Sequence, residues 1–112
     1  MNLKLELGKI SEYLNVDDYI LRKSDEQNKV QGHITNKSKY DLDDLCFDVS
    51  FYDNDNFLGL EKSTFLDIEE ISRNQTLPFD LDIEIPQKTN KIILNVFANK
   101  MVSGLLMRLF YK

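Results

Sequence analysis

Side chains able to do chemistry are few in this sequence and widely scattered. His33 is the only histidine and Cys46 the only cysteine. Alternation around His33 places it on the polar side of an extended segment, opposite Val30, Gly32 and Ile34. With no second His and no Cys beside it, metal ligation or acid–base work would need partners from elsewhere in the fold. Cys46 projects away from the apolar stripe of its own segment and has acidic neighbours, which raise a thiol pKa rather than lower it. Both residues therefore read as structural. No Ser-His-Asp set can be assembled without His33, and there is no phosphate-cradling glycine loop and no zinc spacing. The expectation is no catalytic residue, no cofactor and no metal.

Two groups of carboxylates remain. Asp53-x-Asp55 with Gly59 has the start of a calcium loop, but the sixth and twelfth positions, which need Gly and Glu, are Leu58 and Thr64. A hairpin turn is the simpler reading. Asp80, Asp82 and Glu84 form a row on one face of one strand, about 6.5 to 7 Å apart by strand geometry. Such a row is either a solvated edge that discourages aggregation or a docking strip for a basic partner. Asp48 and Tyr52 join that strip if their strand lies alongside it.

The elements that position these residues are strands. Leu3, Leu5 and Leu7 alternate with Lys4 and Glu6, and the segment from Ile10 to Leu14 fits either a helical turn or a connection. Tyr19 to Arg22 reads as extended and Lys23 to Lys29 as a hairpin loop. Val30, Gly32 and Ile34 mark a strand ended by turn formers from Asn36 to Asp41. Leu45, Phe47, Val49 and Phe51 mark the clearest strand, stopped by Asp53-Asn54-Asp55-Asn56, after which Phe57 to Leu60 resumes the extended chain. Phe65 to Ile71 is a weaker candidate. Leu77, Phe79, Leu81, Ile83 and Ile85 keep strict period two, with Pro78 and Pro86 signalling an edge strand or its limits. Lys91 to Asn99 is apolar on both sides, as a central or doubly covered strand would be. The segment from Met101 to Lys112 fits helical spacing through Leu105, Leu106, Leu109 and Phe110, and strand spacing through Leu105, Met107, Leu109 and Tyr111.

Chain length and charge narrow the function classes. One hundred and twelve residues supply one modest core. The net charge is −5, and it is uneven: residues 41–84 hold 13 acidic side chains against Lys62 and Arg73, while residues 85–112 hold five basic ones and no acid. Binding to a phosphate backbone is disfavoured. No apolar run is long enough to span a bilayer, and Met1 to Ile10 lacks the continuous apolar stretch of a secretory signal. The expected compartment is cytoplasmic as numbered, and extracytoplasmic if a leader has been removed.

Val30-Gln31-Gly32-His33-Ile34-Thr35-Asn36-Lys37-Ser38, followed by Val49-Ser50-Phe51-Tyr52-Asp53, an Asx turn with Gly59, and then Phe79, resembles the FxLYD and related domains of prokaryotes. The resemblance covers roughly residues 13–100. Val49 and Phe51 stand where that motif has Phe and Leu, so Tyr52-Asp53 carries it. The resemblance implies an immunoglobulin-like sandwich serving adhesion or assembly, with no catalytic residue.

These readings combine into an all-β, immunoglobulin-like antiparallel sandwich of seven to eight strands, with a short helix allowed near either terminus. It forms a single domain over 1–112, with a family-like core at 13–100 and flanking segments at 1–12 and 101–112. The expected function is a non-enzymatic protein–protein interaction or assembly module. The alternative is a small acidic inhibitor or immunity protein that masks a basic surface of a toxin, nuclease or defence protein through Asp80, Asp82, Glu84, Asp48 and Tyr52. A homodimer through the apolar C-terminal segment is a further expectation.

Overall fold

The computed structural model describes residues 3–63 and 70–100, and within them the chain is all β. Eight strands follow in order: β1 (Lys4–Ile10), β2 (Leu14–Arg22), β3 (Asn28–Asn36), β4 (Leu42–Asp53), β5 (Asn56–Ser63), β6 (Glu70–Ile71), β7 (Thr76–Ile83) and β8 (Lys91–Lys100). They make two sheets, one ordered β1-β8-β4-β5 with β6 also on β4, the other ordered β2-β3-β7. No helix occurs among the described residues. The segment from Ile10 to Leu14 is a turn instead, closed by Leu14 N–H donating to Ser11 O at 3.0 Å. It carries the chain from one sheet to the other. The undecided 101–112 segment, and most of the candidate strand from Phe65, lie outside the described residues; Glu70–Ile71 is extended.

One pairing departs from the antiparallel expectation. Residues 4–10, read from sequence as a flank, run parallel to β8, with Leu5 opposite Ile92 and Leu7 opposite Leu94. Local alternation carries no information about a partner so far along the chain. A second departure is the start of β2, nine residues long rather than four. Asp17 pairs with His33 and Ile20 with Gln31, so Asp18 and Tyr19 together stand against Gly32 in a bulge with one extra residue, and Asp18 adopts a φ of 53°. The bulge resets the alternation: Val16 is buried, yet Ile20 is exposed and Leu21 half-buried.

Between the sheets lies one apolar layer. Val30 and Ile34, with Phe79, Leu81 and Ile83, face Leu45, Phe47, Val49, Phe51, Ile92, Leu94 and Val96. The strict alternation of β7 lets it bury Phe79, Leu81 and Ile83 while every intervening residue is exposed. Pro78 is tolerated because β7 is an edge strand, paired only with β3. Phe79 sits opposite Gly32 in the register. A Cβ at Gly32 would stand 2.8 Å from Phe79 Cε2 and Cζ, so the missing side chain is the seat of that ring. From there the ring reaches Phe47 of the other sheet, centroid to centroid 5.1 Å.

At the end of β3, Asn36 is fully buried. Its Nδ2 donates to Tyr40 O at 2.7 Å and to Ile71 O at 3.0 Å. Its Oδ1 accepts from Ser38 N at 2.9 Å and Ser38 Oγ at 2.7 Å. Both amide protons and both lone pairs are thereby matched. Ile71 lies on β6 and Asn36 on β3, so this one side chain joins the two sheets.

Asn36→Ala removes the donor to the buried Ile71 O and the acceptor of Ser38 N–H, while Tyr40 O keeps its bond from Ser38 Oγ at 3.1 Å, and we expect it to lower unfolding free energy by about 1–3 kcal/mol. Urea denaturation would show this as a reduced midpoint. A loss below about 0.5 kcal/mol, the size of a neutral surface change, would contradict the role.

Candidate functional site

The acidic row stands on the solvent face of the smaller sheet. Asp80 and Asp82 point outward from β7 because Phe79, Leu81 and Ile83 take the inward positions. Lys29, across the register on β3, reaches both, with Nζ 2.9 Å from Asp82 Oδ1 and 3.6 Å from Asp80 Oδ1. The relay continues sideways: Gln31 Nε2 donates to Asp80 Oδ2 at 3.3 Å, and Arg22 Nε donates to Gln31 Oε1 at 2.6 Å. Glu84 lies past the strand end, where its N–H donates to Glu61 Oε1 at 3.1 Å. The row that looked bare in the sequence is thus served by an internal cation. Lys29 is held protonated above the ordinary lysine range, first by its hydrogen bond to Asp82; partial desolvation opposes this, and the charges of Asp80 and Asp82 add to it.

The structure separates the residues expected to extend this strip. Asp48 and Tyr52 belong to β4, which pairs with β5, β6 and β8 and never with β7. They lie on the outer face of the larger sheet, on the opposite side of the sandwich from Asp80. The error has a simple origin, since face parity along a strand can be read from sequence and membership of a sheet cannot.

His33 faces solvent between Asp17 of β2 and Pro78 of β7, with Nδ1 3.7 Å from Asp18 Oδ2. It lines an open depression of about 540 Å³ together with Asp18, Ile20, Arg22, Gln31 and Asp80. The polar groups there are engaged with one another. Asp53 and Asp55 flank a turn pinned from outside, because Asn54 N–H donates to Asn90 Oδ1 at 2.8 Å and Asn90 Nδ2 returns to Asn54 Oδ1 at 2.9 Å. Among the described residues no group of three His, Cys, Asp or Glu side chains could hold a metal. No helix among them is long and apolar enough to cross a membrane.

What sequence reading missed lies around Asp48 and Tyr52. Outward residues of β1, β8, β4 and β5 line up in rows. Lys4, Lys91, Tyr52 and Phe57 make the first row; Glu6, Ile93, Ser50 and Leu60 make the second. Asn95 and Asp48 follow, with Lys62 across the register from Asp48 on β5, then Phe97 and Cys46, then Asn99 and Asp43. Leu58 is an extra residue between the pairs Phe51–Gly59 and Tyr52–Phe57, so Phe57 and Leu60 share the outer face despite their odd spacing. Phe57 is 60% exposed, Leu60 45% and Phe97 38%. Tyr52 meets Phe57 edge to face at 5.7 Å, and Lys91 Nζ lies 5.2 Å from the Tyr52 ring centre. Asp48 Oδ1 is buried in this face and has no hydrogen-bond partner among the described residues.

The geometry defines a two-sheet β-sandwich that carries a clamped acidic strip on one outer face and exposed apolar side chains on the other. Comparison with protein-family models, with curated proteins and with solved structures returns no match for the chain.

The raised pKa of Lys29 fixes the sign of its pH dependence: its contribution is fully present below the ordinary lysine value and is lost as pH rises through the folded value. The stability gap between wild type and Lys29→Met, read by urea denaturation, should hold steady through neutral pH and close in strong alkali. Added salt should shrink it. A gap that widens with alkali would contradict the clamp.

Proposed function

We propose that this protein is a non-enzymatic interaction module that binds a protein partner through the outer face of its five-stranded sheet. The observation that carries this reading is the exposure of Phe57 and Leu60 beside Tyr52 and Ile93 in two adjacent rows, with Phe97 exposed beyond the row of Asn95 and Asp48 on the same face. Scattered surface apolar residues are ordinary, whereas Tyr52, Phe57, Ile93 and Leu60 gather over two adjacent rows bordered by charge, the kind of surface that another protein covers. Aromatic anchors such as Phe57 and Tyr52, rimmed by Lys4 and Lys91, suit a binding centre with a polar border. The reading also accords with an adhesion or assembly role of the FxLYD type, which we include in the proposal.

The inhibitor reading depends on the acidic row being available to an external cation. Lys29 already occupies the space between Asp80 and Asp82. A basic partner would have to displace it, so the observations favour the apolar face.

Two sets of substitutions separate the readings. Leu60→Lys with Phe97→Asp changes the apolar face, and Asp80→Lys with Asp82→Lys reverses the acidic strip. Leu60 and Phe97 are exposed, so the first change should leave stability within about 0.5 kcal/mol per residue; the second removes the partners of Lys29, so its urea midpoint is read beside its binding. With the variants as immobilised bait, a partner held by wild type should be lost from the first variant and kept by the second. Loss from the second alone would support the inhibitor reading instead.

A further inference from the structure

We infer that the partner is gripped through an added strand: an extended segment of another protein, apolar at its centre and flanked by basic residues, pairs with the open edge of β5. The inference rests on the reading above for the existence of a protein partner and adds the means of attachment. Each sheet ends in two edge strands, β1 and β5 in the larger, β2 and β7 in the smaller. An edge strand offers unpaired backbone groups to any extended chain unless something blunts it. Three of the four edges are blunted. β7 carries Pro78 with Asp80 and Asp82 exposed, and β2 is broken by a bulge at the very place where it exposes Tyr19 and Ile20. β1 presents Lys4 and Glu6 and slips register between Leu7 and Ile10. β5 instead exposes Phe57, Leu58 and Leu60. Beyond its bulge it runs in unbroken register from Gly59 to Ser63, with no strand on its other side among the described residues.

This edge also has a seat for a side chain. Gly59 pairs with Phe51 and so takes an inward position, and a Cβ built there would meet no atom within 4 Å. The gap opens on a depression of about 330 Å³ between β5 and the chain leaving β7, lined by Phe51, Leu60, Ile85 and Pro86 together with Glu61 and Glu84. A strand laid along β5 sends alternate side chains to opposite faces. One inward side chain enters the gap beside Gly59, where Ile85 and Pro86 call for an apolar group. The next inward position falls beside Glu61, whose Oε1 accepts the Glu84 N–H at 3.1 Å. Neither carboxylate pairs with a cation among the described residues, so a lysine or arginine there supplies the missing charge. Outward side chains of the same strand extend the rows of Phe57 and Leu60 and are apolar for that reason. The occupant therefore has basic, apolar and basic residues on its inward side and apolar residues on its outward side, the pattern Lys-Val-Val-Val-Lys.

The test titrates the isotope-labelled full chain with the peptide acetyl-Lys-Val-Val-Val-Lys-amide, whose pattern is the same in either strand direction. Amide shifts are expected at Gly59, Leu60, Glu61 and Ile85, with β1, β2 and β3 unmoved. Gly59→Leu fills the gap. Its site has open space and no positive φ, so the urea midpoint should not fall while the peptide shifts disappear. Glu84→Lys should weaken binding roughly threefold or more, and acetyl-Glu-Val-Val-Val-Glu-amide should bind more weakly than the lysine peptide at low salt. No shift up to millimolar peptide, shifts centred elsewhere, or shifts that survive Gly59→Leu would each overturn the added strand. Equal binding of the two peptides overturns the basic flanks. Immobilised bait separates this inference from the one beneath it. A partner lost from both Gly59→Leu and Phe97→Asp supports edge and face together. A partner kept by Gly59→Leu and lost from Phe97→Asp overturns the edge and leaves the face, and the reverse pattern overturns the face and leaves the edge.

Discussion

A buried side-chain amide is tolerated only when every one of its polar groups finds a partner, and Asn36 imposes that condition where the two sheets meet. It is met by gathering the turn after β3 and the end of β6 around one point. The backbone adds to the knot, since Asn36 N–H donates to Gln75 O and Asn74 N–H donates to Asn36 O. The entry to β4, the exit of β6 and the start of β7 are all anchored there. With those ends fixed, the inward residues of β4 and β7 are held opposite one another, and Phe79 comes to rest on Gly32 against Phe47.

The outer faces follow from this inner arrangement. Once Phe47, Val49 and Phe51 are committed to the core, Cys46, Asp48, Ser50 and Tyr52 have to face outward, and the neighbouring strands lay Phe97, Ile93 and Leu60 beside them. On the other side, commitment of Phe79, Leu81 and Ile83 to the core turns Asp80 and Asp82 outward, where the register delivers Lys29. The same packing rule thus produces a neutralised strip on one face and an apolar surface on the other. The difference between the two faces lies in the strand that happens to sit alongside.

Much of the fold was legible because alternation is a local property. β4, β7 and β8 were readable from Leu45 to Phe51, from Leu77 to Ile83 and from Ile92 to Ala98, and Pro78 marked either an edge position or a limit of β7, of which the sheet order shows the edge. Alternation stopped being informative at bulges. Asp18 and Tyr19 shift the phase of β2, and Leu58 shifts the phase of β5, so the outward placement of Ile20 and of Phe57 with Leu60 could not be counted off the chain. Pairing was illegible for a different reason: β1 finds β8, and Lys29 finds Asp80 and Asp82, across distances in sequence that carry no local signal. The motif running from Val30 to Ser38 was legible as a pattern, but its meaning is structural. Val30 and Ile34 are core, Gly32 seats Phe79, and Asn36 with Ser38 ties the sheets.

The central claim is that the outer face of β1, β8, β4 and β5 is the working surface of this protein. Backbone amide spectra of the isotope-labelled full chain, recorded before and after addition of the partner retained by wild-type bait, test it most directly, because each strand reports separately. The account predicts partner-dependent shifts at Tyr52, Leu60, Ile93 and Phe97 and their neighbours, with β3 and β7 unmoved. Shifts centred on His33, Asp80 and Asp82 with the larger sheet unchanged would contradict it.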